Sequence, residues 1–164
     1  MAIDAYLDIE TTGLSVLTDT ITVIGICLTR DGVHKVIQLV GEDANKHKLL
    51  EVLPRESSIY TYNGGQFDIP FIQVRLGLDL SVHWNHHDLM FDCWKNNLYG
   101  GLKAVERRLG IQRQLKLIDG EMAVKLWHDY RNNKNEDSLA ILLKYNEEDV
   151  LNLKALKDIL LGSG

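Results

Sequence analysis

Cysteine is scarce, with only Cys27 and Cys93 among 164 residues. Two thiols make no disulfide framework, and their separation does not suit a zinc knuckle. Cys27 stands in an apolar run and reads as a small core residue. Long hydrophobic runs are missing as well. The longest near-continuous one, Val23-Ile24-Gly25-Ile26-Cys27-Leu28, falls far short of the roughly 20 residues that cross a bilayer, so no membrane association is expected. Met1-Ala2-Ile3-Asp4 carries no basic stretch ahead of an apolar one. No secretory signal is therefore expected, and the expected compartment is cytoplasmic. Internal repeats, low-complexity tracts and linkers are absent too. So is an excess of positive charge: 18 basic against 23 acidic residues leave a net charge of −5. That argues against a protein coating nucleic acid through bulk charge. An enzyme gripping a phosphodiester through metal ions is not excluded, because the ions bring positive charge of their own.

What is present is ordinary for a globular chain: 45% hydrophobic and 25% charged residues, which argues against disorder. The length predicts one domain, residues 1–164, with a core that needs no covalent or metal staple. Ile3, Ala5, Leu7 and Ile9 alternate with Asp4, Tyr6, Asp8 and Glu10, which is a strand. Residues 11–19 form a polar connection. Residues 20–29 read as a second strand, Asp31-Gly32 as a two-residue hairpin turn, and residues 33–40 as a third strand. The opening is thus a three-stranded antiparallel meander. A helix is expected over 44–53, ending at Pro54, then a short strand over 58–62 and a turn at Asn63-Gly64-Gly65. Phe67, Phe71, Ile72, Val74 and Leu78 suggest a helix that tolerates Pro70 only in its first turn. A short strand is expected near 82–89. Helices follow around 89–96, 102–109 and 120–130, then a long one over 137–161. The long helix is striped by Leu139, Leu142, Leu143, Val150, Leu153 and Leu156, with Asp137 or Ser138 as its cap. The order points to an α/β fold with a mixed five-stranded sheet flanked by helices.

Three clusters carry residues suited to chemistry. Asp8 and Glu10 share one side of the first strand, at the edge where α/β sheets place their sites. Taken alone, the pair reads as a polar strand face. Asp68 follows Asn63-Gly64-Gly65-Gln66-Phe67 at a strand-to-helix turn, where an acid is also favoured by the helix dipole alone. Tyr145 and Asp149, four apart on the long helix, share a face. Glu148 falls about 100° round the helix and is assigned to solvent.

Taken in order, Asp-x-Glu, Asn-x3-Phe-Asp and Tyr-x3-Asp resemble the motifs of the DEDD (DnaQ-like) 3′–5′ exonuclease superfamily, on a ribonuclease-H-like fold. The set is most similar to the tyrosine-bearing branch. The second motif resembles the proofreading exonuclease of family B DNA polymerases, and residues 3 to about 156 resemble YprB-like ribonuclease-H-like domains. Lys144 stands where the sister branch has histidine, in keeping with the tyrosine branch.

The resemblance implies a 3′–5′ exonuclease that releases nucleoside monophosphates from single-stranded DNA or RNA ends. It makes Asp8, Glu10, Asp68 and Asp149 the metal ligands, with Asp8 bridging two ions and Tyr145 orienting the attacking water. A phenol with a pKa near 10 is protonated at neutral pH and is not the base. Four gathered carboxylates repel by several kcal/mol at an effective dielectric near 20, and this demands cations. All-oxygen ligands favour Mg2+ or Mn2+ over zinc, and two such ions suit a phosphodiester clamp. The expectation requires the acids to be close together and not consumed by arginine or lysine partners.

By the same resemblance, backbone groups near Thr11 and Thr12 hold the terminal 3′-hydroxyl. Leu14 and Phe67 contact the last bases, and Asn63 hydrogen-bonds substrate. Lys103, Arg107, Arg108, Arg113 and Lys116, against the single acid Glu106, form a candidate phosphate track or equally a solvated helix face. His83, His86 and His87 lack a matching His or Cys group for zinc; Asp88 reads as a structural residue at a strand end, or alternatively as a support behind the site. The alternatives are a non-catalytic nucleic-acid-binding module and a structure-selective endonuclease of the same fold. Helicase or polymerase partners, and the choice between DNA and RNA, stay open.

Overall fold

The computed structural model describes residues 2–162. Five strands, β1 (Ile3–Thr11), β2 (Ile21–Arg30), β3 (Val33–Val40), β4 (Ser57–Thr61) and β5 (Asn85–Asp88), form one sheet in the order β3-β2-β1-β4-β5. β1, β2 and β3 pair antiparallel, and β4 and β5 join parallel to β1. The expected mixed five-stranded sheet with its leading meander is what the chain forms. The meander turns on Asp31 and Gly32, both at positive φ, 53° and 78°. That is the combination a tight two-residue hairpin demands.

Helices cover both faces. α1 (Lys46–Val52), α2 (Asp68–Leu76) and the single turn α3 (Leu80–His83) pack on the face carrying Ala5, Leu7 and Ile9. α4 (Leu89–Lys95), α5 (Leu102–Leu109), α6 (Gly120–Asn133) and α7 (Glu136–Leu161) cover the other face. That second face carries Tyr6 and, by alternation, Asp8 and Glu10. Among the described residues, no helix is long and apolar enough to cross a membrane.

Three local expectations are corrected. The cap of α7 is Asn135, whose side chain accepts from the N–H groups of Asp137 and Ser138. Those two residues lie inside the first turn. The region 82–89 is a helical turn and then a four-residue strand, because Asp79 caps residues 80–83 before the chain extends. α2 stops at Gly77 in the left-handed conformation, which leaves Leu78 buried but beyond the helix and Val74 exposed.

One detail of register positions the site. β1 pairs with β2 out to Thr11, but its parallel pairing with β4 covers only Ile3–Tyr6. The last turnings of β1 therefore overhang β4, leaving backbone groups on that side without a strand partner.

Candidate metal and nucleic-acid site

The overhang is where the acids gather. On that side the Ile9 N–H donates to Asp68 Oδ2 at 3.0 Å. Asp68 is the first residue of α2, so the helix start replaces the missing strand. From the other direction α7 crosses the Asp8–Glu10 face and lowers Tyr145, Asn146 and Asp149 onto it. Asp8, Glu10 and Asp149 each place one carboxylate oxygen within 4.8 Å of the others. Asp68 lies beside this group with one oxygen engaged by β1. The two acids adjacent in the first motif and the two from distant helices are thus brought to one place.

Their charges are mutually costly. Burial pushes the Asp8 carboxyl well up, and the charges of Asp149, Glu10 and Asp68 push it further. Glu10 is raised by burial, then by Asp149 and Asp68. Asp68 is pushed up to about 7 by burial, against the opposing hydrogen bond from Ile9. Asp149 is raised by burial too, while Arg113 and Lys103 pull it back. Hard oxygen donors crowded in this way fit Mg2+ or Mn2+.

The sign of a pH effect follows. In the unfolded chain Asp68 ionises near 3.8, and in the fold near 7. Between those values the folded state holds the extra proton, so stability falls as pH rises. Thermal melts in chelator are expected to drop by several degrees from pH 5 to pH 8, with Mn2+ restoring most at pH 8. The Asp68→Asn variant is expected to flatten the slope; equal slopes for both proteins would refute the raised Asp68 pKa.

Arg113 departs from expectation. It was expected on an exposed phosphate track, yet it is buried, with Nε donating to Glu106 Oε1 and Oε2 at 2.6 and 3.0 Å. Its Nη2 donates to Asp149 Oδ1. One of the four acids therefore has an arginine partner, shared with Glu106. Asp8, Glu10 and Asp68 have no arginine or lysine partner among the described residues. The buried Glu106 is likewise no surface residue: Asn152 also donates to its Oε2, at 2.8 Å. Of the other basic residues in that stretch, Arg107, Arg108 and Lys116 are exposed, and Lys103 is half-buried.

Lys103 donates to the Tyr145 hydroxyl at 2.7 Å, with its ammonium 4.5 Å from the ring centre. Burial, then the charges of Asp149, Glu10 and Asp8, drive the phenol pKa upward. Burial lowers that of Lys103. Tyr145 is itself buried.

A cleft of about 490 Å³ opens over the acids, lined by Thr11, Leu14, Phe67, Val124 and Tyr145 among others. Leu14 is 86% exposed at its rim. Phe67 is partly buried against the core. Thr12 and Asn63 are not among the lining residues. The Thr12 N–H donates to the Thr20 carbonyl at 2.9 Å, and its hydroxyl to Asp19 at 3.1 Å. Asn63 adopts φ 57° and donates its N–H to Asp88 Oδ1 at 2.8 Å. Asp88 also accepts from Gly65 and Met90, so it ties the Asn63 turn to the start of α4. The three histidines diverge. His86 pairs with Thr61 at 2.8 Å, His87 with Asp92, and His83 sets its ring edge-on to Trp84.

Two residues escaped the sequence reading. Glu148, assigned to solvent, is buried and accepts from the Gln114 and Leu115 N–H groups at 3.0 and 3.2 Å. Asn146 is wholly buried. A signal for it existed: the α7 stripe steps from Leu142 and Leu143 to Val150, and position 146 is the missing turn.

A sheet in this order, with acids at the end of its central strand and helices on both faces, defines a ribonuclease-H-like α/β protein. The chain belongs to the RNase_H superfamily, whose RNase_H_2 family matches residues 5–161. Brucella melitensis NrnC shares the fold with a TM-score of 0.62 at 24% identity, over 97% of this chain and 71% of NrnC. A structure described as the apo form of the nuclease gives 0.63 at 23%, over 96% and 70%. Apo exonuclease I gives 0.55 at 14%, over 98% of this chain and 43% of its own. No curated protein matches the chain.

Proposed function

We propose that this protein is a two-metal-ion-dependent 3′–5′ exonuclease that hydrolyses single-stranded DNA or RNA to nucleoside monophosphates. The observation that carries this reading is the convergence of the Asp8, Glu10 and Asp149 oxygens within 4.8 Å, beside Asp68 and below Tyr145 in an open cleft. Structures of the same fold agree with it: NrnC with Mg2+ bound, and a zinc-bound complex of E. coli exonuclease I with single-stranded DNA.

Asp8, Glu10, Asp68 and Asp149 would hold Mg2+ or Mn2+, which supply an activated water and charge stabilisation at the leaving oxygen. Asp8, raised by the charges of all three other acids, would be the ligand shared between the ions. Lys103 donates to the Tyr145 oxygen, so the phenol keeps its own proton to donate, and Tyr145 orients the water. The backbone at Thr11, which lines the cleft, receives the terminal hydroxyl, and Leu14 and Phe67 flank the last bases. Asn63 serves through its turn, because its side chain is not at the cleft.

Single-stranded DNA and RNA labelled at the 5′ end, incubated with Mn2+ or Mg2+ and with chelator, test this reading. A ladder shortening from the 3′ end that disappears in chelator is expected. One internal cut would point to an endonuclease, and intact strands to a binding module. Tyr145→Phe is expected to slow turnover by roughly 10–100-fold with Mn2+ affinity kept. Equal rates would remove the phenol from the reaction.

A further inference from the structure

Asn146 occupies a place that a hydrophobic residue would ordinarily fill, one helical turn from the apolar positions of α7. A wholly buried amide there must satisfy donors and acceptors on both ends. It does. Its Nδ2 lies 3.2 Å from the Asp8 carbonyl oxygen and 3.3 Å from Asp8 Oδ2. Its Oδ1 accepts from Gln38 Nε2 at 3.0 Å, and the same Nε2 donates to the Leu143 carbonyl at 2.7 Å.

The direction of this chain is determined from both ends. The Leu143 carbonyl only accepts, so Gln38 must present its NH2 group there and, with its second proton, to Asn146 Oδ1. The Asp8 backbone carbonyl also only accepts, so Asn146 must present its NH2 group to Asp8. Neither amide can flip without leaving two oxygens facing each other. β2 makes the room. Gly25 stands opposite Asp8 in the β1–β2 register, and a Cβ there would fall 2.0 Å from Asn146 Oδ1. Gly25 has ordinary backbone angles, so the glycine is required by space and not by conformation.

We propose that Gln38, Asn146 and Gly25 form a positioning relay, running from the edge strand β3 to α7, that fixes one oxygen of Asp8 and so sets its carboxylate for divalent-cation binding. The proposal rests on the reading of Asp8 as a metal ligand. Gln38 touches none of the four acids, which makes it the informative position. Partners behind a ligand typically change metal affinity by about 10–100-fold when removed.

The test is Mn2+ titration calorimetry on the full chain, comparing the parent with Gln38→Leu, Gly25→Ala and Asn146→Asp. Melting in chelator serves as the folding control. Gln38 is half-buried on an edge strand, so its replacement tests the relay even if the Asn146 variant does not fold. At least about a tenfold weaker Mn2+ dissociation constant is expected for Gln38→Leu and Gly25→Ala. A lowered melting temperature with parental Mn2+ affinity would overturn the relay and reduce these residues to packing, leaving the proposed metal site standing. A parent that binds no Mn2+ would overturn the metal site, and the relay with it.

Discussion

Asp8→Asn is expected to lower Mn2+-dependent nucleotide release by at least about 10³-fold while raising the melting temperature of the metal-free protein. The two changes have one cause. Carboxylate oxygens within 4.8 Å repel by roughly 3–4 kcal/mol per ionised pair at an effective dielectric near 20. The fold tolerates this by holding protons on the acids. An isosteric amide at position 8 relieves the fold of holding either a charge or an extra proton there, and it still offers a carbonyl to Asn146, so the relief comes without a cavity. The same charge is what would draw and bridge the ions. A loss of about 4 kcal/mol of transition-state stabilisation is about 10³ in rate. Rates on labelled single strands and melts in chelator measure both. Undiminished hydrolysis would place the chemistry elsewhere, and a lower melting temperature would show that the acids do not repel. Asp149→Asn is a poorer probe of the repulsion, because Arg113 already compensates that charge.

Much of the frame is legible in the amino-acid sequence. Strict alternation over residues 3–10, the Asp31-Gly32 turn and the leucine stripe of the last helix are local patterns, and local patterns survive folding. The gathering of Asp8, Glu10, Asp68 and Asp149 was reachable only through their order along the chain and the resemblance it carries. Nothing local says that β1 outruns β4, and it is this mismatch that lets Asp68 bond the Ile9 amide. Charged residues were the systematic weakness. Glu106, Arg113 and Glu148 were read as surface groups because burying an isolated charge is costly. Each is buried with its partners supplied from afar: seven residues on, across the left-handed Gly110, for Glu106 and Arg113, and 33 and 34 residues away for Glu148. Asn146 was missed for the same reason, since a polar residue on an apolar stripe reads as an interruption until Gln38 and Asp8 are brought to it.

Arg113→Met is expected to destabilise the protein by about 3–5 kcal/mol, the usual cost of removing one member of a buried ion pair. Glu106 is 2% exposed, and Arg113 supplies two of its hydrogen bonds. Without the guanidinium, its carboxylate retains only the Asn152 amide, and Asp149 loses its counter-charge in the same step. The double variant Arg113→Met/Glu106→Gln is expected to recover most of the loss, because the orphaned charge goes with its partner. An exposed phosphate-track arginine would behave otherwise, changing stability by no more than about 0.5 kcal/mol. Denaturant midpoints in chelator discriminate between these outcomes, and a midpoint unchanged by Arg113→Met would return the residue to the surface. Asp8→Asn and Arg113→Met therefore shift stability in opposite directions from positions on one site. Asp8 adds a charge the metal-free fold must suppress, whereas Arg113 supplies a charge that Glu106 cannot do without. Mn2+ should erase the first difference and leave the second largely in place, since a cation held by Asp8, Glu10 and Asp149 does not replace the bidentate contact at Glu106.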